Sequence, residues 1–222
     1  MKKLLCFLLS AIMIFSLFAC DEIKKSEKDD EDDVRGNISS DKDDEGAELS
    51  LGKTSGGTYT NDFLGLSWTL PEGWEFYSDA EILALNNIAE GYLDEDVAKQ
   101  LEKASLIYDM YAQNSSEGST VNVVIEKLRT TKIDIKTSLE SQIDMIKSSY
   151  ANMGYTDVSV EYEKVTVDGQ EFDGLRMTAK IQGFDFYAQI FAFKKDNYMA
   201  NVTLCTLYTD TTGDLLDLFT VK

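Results

Sequence analysis

The chain has 222 residues, with 40 acidic against 21 basic side chains, a formal net charge of -19, no histidine, one proline and three cysteines. Phosphate backbones and anionic headgroups are bound by Lys and Arg that release counterions, so a chain this acidic is expected not to take nucleic acid as a partner. The absence of histidine excludes Ser-His-Asp and Cys-His catalysis and imidazole-bound metals, and the expectation is a protein that is not an enzyme and carries no metal or cofactor.

Met1-Lys2-Lys3 is a short cationic start, residues 4–19 form an almost unbroken apolar run of 16 residues, and Leu17-Phe18-Ala19 leads into Cys20. The run is shorter than the roughly 20 residues that cross a bilayer core, and a small residue before a cysteine suits a cleaving peptidase. Residues 1–19 therefore read as a signal peptide. Leu17-Phe18-Ala19-Cys20 resembles the lipobox of bacterial lipoproteins, with Phe18 bulkier than is usual at its position. The resemblance implies cleavage before Cys20, diacylglycerol on its thiol and acylation of the new terminus. It implies a lipid-anchored protein of the cell membrane facing outside the cytoplasm, at the extracellular surface in a Gram-positive host. Each buried methylene contributes roughly 0.8 kcal/mol, so two or three acyl chains make a firm anchor. Removal of the signal and lipidation of Cys20 leave Cys205 alone. No intramolecular disulfide is then available, and stability must come from a hydrophobic core.

Residues 20–57 read as the lipidated cysteine and a disordered acidic tether, because 21–57 hold 13 acids against 6 bases with few apolar residues. Asp41, Asp43 and Glu45 alternate before Gly46, as in the first half of an EF-hand loop. Gly52, however, stands where that loop requires a bidentate glutamate, so calcium is not expected there. Ser39 with Lys42 and Ser50 with Lys53 have Ser-x-x-Lys spacing. A Ser-Lys pair needs a water-excluding pocket, which a polar tether does not provide.

Residues 58–222 read as one domain, long enough to bury roughly 70% of the unfolded surface. Leu64, Leu66, Trp68 and Leu70 alternate on a strand, followed by a Pro71-Glu72-Gly73 turn. A helix is predicted over 79–90 through Ile82, Leu85, Ile88 and Ala89, and a second from a cap at Asp94 to about 103. Strands near 106–112 and 120–128 come next. The clearest helix spans 137–153, with Thr137 and Glu140 as a capping box, Leu139, Ile143, Ile146, Tyr150 and Met153 as its apolar stripe, and Gly154 as its stop. A meander follows, with turns at Asp168-Gly169, at Gln182-Gly183 and over 194–197. Its strand over 184–193 is apolar on both parities, as a central strand covered on two faces must be. Asp210 or Thr211 then caps a last helix containing Leu215, Leu216, Leu218 and Phe219.

Hairpin-linked strands with helices before, within and after them predict an α+β fold, an antiparallel sheet flanked by helices in an α/β/α sandwich. Tyr59-Thr60-Asn61, Gly65-Leu66-Ser67-Trp68 and Leu70-Pro71-Glu72-Gly73-Trp74, with the element order that follows, are similar to the Mog/PsbP-like family. The resemblance implies that fold, and non-catalytic accessory or binding roles without a shared catalytic set.

Within the domain, Asp94-Glu95-Asp96 suits a helix start better than a cation site, because neighbours on a helix diverge. Glu161 and Glu163 share a strand face without a fixed separation from a partner carboxylate. Asp168 and Asp173 read as turn residues, and Cys205 as a small buried hydrophobe. Aromatic side chains remain: Trp74 and Tyr77 after the turn, and Tyr108 and Tyr111 on opposite parities of one strand, are the candidate ligand platform. The leading expectation is a membrane-anchored surface lipoprotein that binds a protein or envelope ligand. The alternatives are a carboxylate-based hydrolase of envelope glycans and a small-ligand or cation carrier.

Overall fold

The structure, a computed structural model, describes residues 49–88, 101 and 103–222. The signal peptide, Cys20, most of the acidic segment, the helix expected from Asp94 and the Asp94-Glu95-Asp96 cluster lie outside the described residues.

Eleven strands and three helices are described, in the order β1 (Lys53–Ser55), β2 (Thr58–Asn61), β3 (Leu66–Thr69), β4 (Glu75–Phe76), α1 (Asp79–Leu85), β5 (Leu106–Asn114), β6 (Ser119–Lys127), α2 (Ile135–Asn152), β7 (Tyr155–Val167), β8 (Gln170–Ile181), β9 (Phe184–Lys195), β10 (Tyr198–Leu207), α3 (Thr212–Leu216) and β11 (Phe219–Val221). They form an α+β fold with two antiparallel sheets. One has seven strands in the order β4-β5-β6-β10-β9-β8-β7, and the other has four in the order β1-β2-β3-β11. β10 pairs with β6 from Tyr198↔Lys127 to Cys205↔Thr120, and so joins the early hairpin to the late meander.

Side-chain alternation sends two cores to opposite faces of the large sheet. On one face Leu139, Ile146 and Tyr150 of α2 pack on Val160, Leu175, Met177, Ala188 and Cys205. On the other, Val121, Val123, Phe191, Val202 and Leu204 meet Tyr59, Leu66, Trp68 and Phe219 of the small sheet and Leu215 of α3. Helices were expected over both faces; among the described residues a long helix covers one, while the small sheet and short helices cover the other. Trp68 centres that second core, with ring centroids 5.8 Å from Trp74, 5.9 Å from Phe76 and 5.8 Å from Phe219. Its Nε1 donates to the Leu215 carbonyl at 3.2 Å.

Local differences from the sequence reading have identifiable causes. β1 lies ahead of Thr58, where the sequence places the start of the domain. Gly56 (φ 58) and Gly57 (φ 79) supply the positive dihedrals of a two-residue hairpin, so Lys53–Ser55 pairs with β2. α1 begins at a Ser78/Glu81 capping box and ends at Asn86, short of the predicted 79–90. α2 starts two residues early because Asp134, rather than Thr137, is the cap, accepting from the Thr137 amide at 2.8 Å. The turn after Leu70 runs from Pro71 to Trp74, whose amide donates to the Pro71 carbonyl at 3.2 Å, so Gly73 (φ 80) takes the third position, where a positive φ is required. Phe219, expected in the last helix, opens β11 and pairs with Trp68 of β3. Asp168-Gly169 and Gln182-Gly183 turn the chain with positive φ at both residues, as expected.

Gly174 marks the tightest strand contact: a Cβ there would stand 2.4 Å from the Ile190 carbonyl oxygen and 2.5 Å from Val165 Cγ2. Gly174→Ala should destabilise the domain by about 1–3 kcal/mol through overpacking against backbone, read as a lower melting temperature in calorimetry. An unchanged transition would show that the β8–β9 spacing is looser than described.

Candidate functional site

The polar chemistry of the described domain concentrates around β5. Pairing runs regularly through Tyr108↔Val124 and resumes at Met110↔Val123, so Asp109 is the extra residue of a β-bulge. Its side chain enters the face carrying the small sheet. There Oδ2 accepts from Tyr59 Oη at 2.5 Å and from Asn61 Nδ2 at 2.7 Å, and Oδ1 accepts from the Gly52 amide at 2.8 Å. Asn61 also donates to the Ser50 carbonyl at 3.2 Å and accepts from the Leu64 amide at 2.8 Å. Gly52 is required by space, since a Cβ would lie 2.2 Å from Tyr59 Cε2. On the other side of the bulge, Asn86 pairs with both peptide groups of Tyr108, accepting from its amide at 2.8 Å and donating to its carbonyl at 2.9 Å.

Burial raises the Asp109 pKa, and the three donors from Tyr59, Asn61 and Gly52 oppose the rise. Burial, followed by the neighbouring carboxylate, holds the Tyr59 hydroxyl well above its ordinary value, so it remains a donor.

The bulge also redirects the candidate aromatic side chains. Tyr108 and Tyr111, on opposite parities by residue count, both face the α2 side, because their partners Val124 and Asn122 are two residues apart on β6. Both are buried, and burial pushes the Tyr108 hydroxyl up to about 12. Tyr77 joins them, its ring centroid 4.3 Å from that of Tyr111. Trp74 does not: it packs half-buried against Trp68 in the opposite core. The structure thus stacks Tyr77 on Tyr111, places Tyr108 on the same face, and separates Trp74.

The same face carries polar residues that the sequence reading passed over. Asn122 on β6 lies directly opposite Thr203 on β10, and Asn201 lies opposite Val124. With Gln142 of α2 they line a groove of about 50 Å³ whose walls include Leu139, Ile146, Leu175 and Ile190. Gln142 occupies the buried helix stripe, while Ile143 is half-buried. The signal available in the sequence was a polar residue inside an apolar repeat, in Val121-Asn122-Val123-Val124 and again at Gln142.

Other candidates are placed as follows. Glu161 is exposed and Glu163 half-exposed on β7, an edge strand of the large sheet. Asp168 accepts from the Val221 amide at 3.1 Å, and Asp173 accepts from Tyr162 Oη at 2.5 Å and Lys164 Nζ at 2.8 Å. Burial pushes the Cys205 thiol up to about 12, which leaves it protonated and unreactive in the α2-side core. Arg176 joins Gln189, Thr212 and Asp210 beside α3. Among the described residues no group of three or more His, Cys, Asp or Glu could hold a metal ion, and no helix is long and apolar enough to cross a membrane. Phe184 and Tyr208 form an exposed ring pair with centroids 5.0 Å apart. Tyr208 sits at φ 69 beneath a Thr209 amide to Leu207 carbonyl hydrogen bond of 2.8 Å, a strained turn for an aromatic residue.

No family model matches the chain, and no curated protein matches it. Among solved structures it is similar to LpqN, involved in cell envelope biogenesis of Mycobacterium tuberculosis, at 8% identity over 71% of this chain and 83% of that one, with a TM-score of 0.39. At that score the likeness carries no weight for function.

Replacing Asp109 by Asn leaves at least one of the three donors facing an amide that cannot accept from it, at a cost of about 1–3 kcal/mol. The contribution of a group whose folded pKa is raised is complete below the unfolded value of about 3.9 and is lost as pH rises through the folded value. Urea unfolding at stepped pH should therefore show the stability gap between the native chain and Asp109→Asn narrowing as pH rises through that interval. A gap that widened would mean that the carboxylate is stabilised in its ionised form.

Proposed function

We propose that this protein is a lipoprotein held on the outer face of the cell membrane by acylated Cys20, and that its α+β domain is a non-catalytic binding module for an envelope or protein partner. The observation that carries the anchor is the cationic start, the 16-residue apolar run and Leu17-Phe18-Ala19-Cys20 in immediate succession. The acidic segment after Cys20 supplements that anchor with spacing: at 13 acids against 6 bases over 21–57 it is repelled by an anionic membrane, so attachment falls to the acyl chains.

The domain carries 27 acids against 13 bases over 58–222, which favours a neutral or cationic partner over an acidic one. The described chemistry supports binding over catalysis. The buried carboxylate of Asp109 is engaged with Tyr59, Asn61 and Gly52, and Glu161 and Glu163 sit on a sheet edge. The exposed Phe184–Tyr208 pair is a ready apolar contact for a protein surface. The finer fold reading belongs to the same proposal: the Pro71–Trp74 turn, the long helix before a four-stranded meander and the closing α3 support the Mog/PsbP-like resemblance.

Cys20→Ala tests the anchor. The variant should leave the membrane fraction for the soluble or secreted one, and globomycin should cause precursor of the native chain to accumulate. Unchanged membrane retention of Cys20→Ala would overturn the lipoprotein reading.

A further inference from the structure

Tyr208 holds an aromatic side chain where stability alone would not put one. It sits at φ 69, and the other non-glycine residues of positive φ among the described ones are Asn87, Asp157, Asp168, Gln182 and Asp196, four of them Asn or Asp, the types that visit that region most readily. Its ring is 53% exposed and lies against Phe184, itself 49% exposed. The Tyr208 amide donates to the Asp185 carbonyl at 2.9 Å, which ties the strained turn to β9 and holds the two rings in one relation. Their centroids are 5.0 Å apart and their planes meet at 78°, so they form two walls of a corner, each about half open to solvent. A glycine at 208 would relieve the backbone, and a polar residue at 184 would spare an exposed ring. Two aromatic side chains kept at these positions are accounted for by a group that the corner receives.

Charge selects that group. At this end of the large sheet Asp185 bonds Lys180 at 2.5 Å, and the exposed Asp157 acts on the same ammonium. Asp210, two residues beyond Tyr208, pairs with Arg176. The β5–β6 turn comes against Leu207, where a Cβ at Gly118 would stand 2.6 Å from Leu207 Cδ1, and it carries the exposed Glu117. Each of the two bases is already matched to a carboxylate, so Asp157 and Glu117 leave this set of charges negative. The rings have the same preference, because the negative face of an aromatic ring attracts a cation within about 6 Å of its centroid. Anionic lipid and a second copy of this acidic chain are repelled by the same charges. We propose that the Phe184–Tyr208 corner receives a lysine or arginine side chain of a basic protein partner, its cation against both ring faces and the surrounding carboxylates supplying counter-charge at longer range. The inference rests on reading the domain as a binding module, names the chemistry of its partner and is independent of the anchor.

The test titrates tetralysine at low ionic strength into the full chain carrying Cys20→Ser and follows the ring proton resonances of Phe184 and Tyr208. Saturable shifts are expected at both rings, with the lysine ε-methylene protons moved upfield by the ring currents, and the neutral Nε-acetylated peptide should give no response. Phe184→Leu and Tyr208→Leu keep an apolar side chain and lose a ring face, and each should weaken tetralysine binding by about two- to fivefold. Glu117→Gln combined with Asp157→Asn should also weaken it, while the ring shifts at saturation stay the same. Tyr208→Gly frees the strained turn, and should weaken binding as much as Tyr208→Leu while the melting temperature is kept or raised, which a merely structural role of the ring would reverse. Tetralysine binding that moves neither ring, undiminished affinity in cooperatively folded Phe184→Leu and Tyr208→Gly, or an equal response to the acetylated peptide would each overturn the proposal. Ring shifts with phosphatidylcholine vesicles and none with tetralysine would overturn it as well, and would assign the pair to a lipid surface. Such a failure would leave a binding module for a neutral partner standing, and Cys20→Ala decides the anchor separately.

Discussion

A single buried carboxylate sets the geometry on which the rest of this domain depends. Asp109 is inserted as an extra residue in β5, and its two oxygens gather donors from Gly52, Tyr59 and Asn61. Three consequences follow from one insertion. The small sheet is tied to the large one by polar contacts that only one arrangement satisfies, which adds direction to an otherwise non-directional apolar interface. The chain leaving the acidic segment is fastened at Gly52, so the domain's entry point is fixed beside β5. Beyond the bulge the pleat is reset, and Tyr111 turns to the same face as Tyr108. The arrangement is costly to bury and stable only because every donor around the carboxylate is aimed at it.

The two faces of the large sheet are accordingly different materials. The face under the small sheet is aromatic around Trp68, with Trp74, Phe76 and Phe219 beside it, and carries the Asp109 hydrogen bonds at its β5 side. The face under α2 is apolar toward β7 and β8, where Tyr150, Tyr155 and Phe186 pack ring on ring, and becomes polar toward β6 and β10 at Asn122, Asn201 and Thr203. Buried polar groups thus occur on both faces, and Asp109 on the first is answered by donors from Tyr59, Asn61 and Gly52.

Much of the fold was legible because it rests on local rules. Gln182-Gly183 and Asp168-Gly169 announce hairpins, the Leu139–Ile146–Tyr150 stripe announces α2, and apolar residues on both parities announce the central position of β9. The misses are of two kinds: local signals read one step off, as at the Asp134 cap and the Gly56-Gly57 hairpin, and features decided by contacts distant in sequence. β1 was hidden in an acidic stretch although Gly56-Gly57 was a turn signal, since its pairing with β2 decides the matter. β11 is three residues long and is defined only by β3 alongside it. The parity of Tyr111 depended on counting through Asp109 as if the strand were regular; an acid between Tyr108 and Met110 in an otherwise apolar strand was the cue to a bulge with a buried partner. Trp74 was grouped with Tyr77 by proximity in the chain, and β4 between them sends the two to opposite faces. Asn122, Thr203 and Gln142 were visible as polar letters in apolar segments, but only the β6–β10 register and the position of α2 bring them together.

The most direct test of this account is the side on which the Tyr111 ring lies. Nuclear Overhauser contacts from its ring protons should reach Tyr77 and Asn122, with the Met110 side chain contacting Val123 in the core on the other face. Contacts from the Tyr111 ring to Val123 in the Trp68 core, with Met110 moved to the α2 side, would show a regular strand without the Asp109 bulge, and the coupling of the two sheets described above would be wrong.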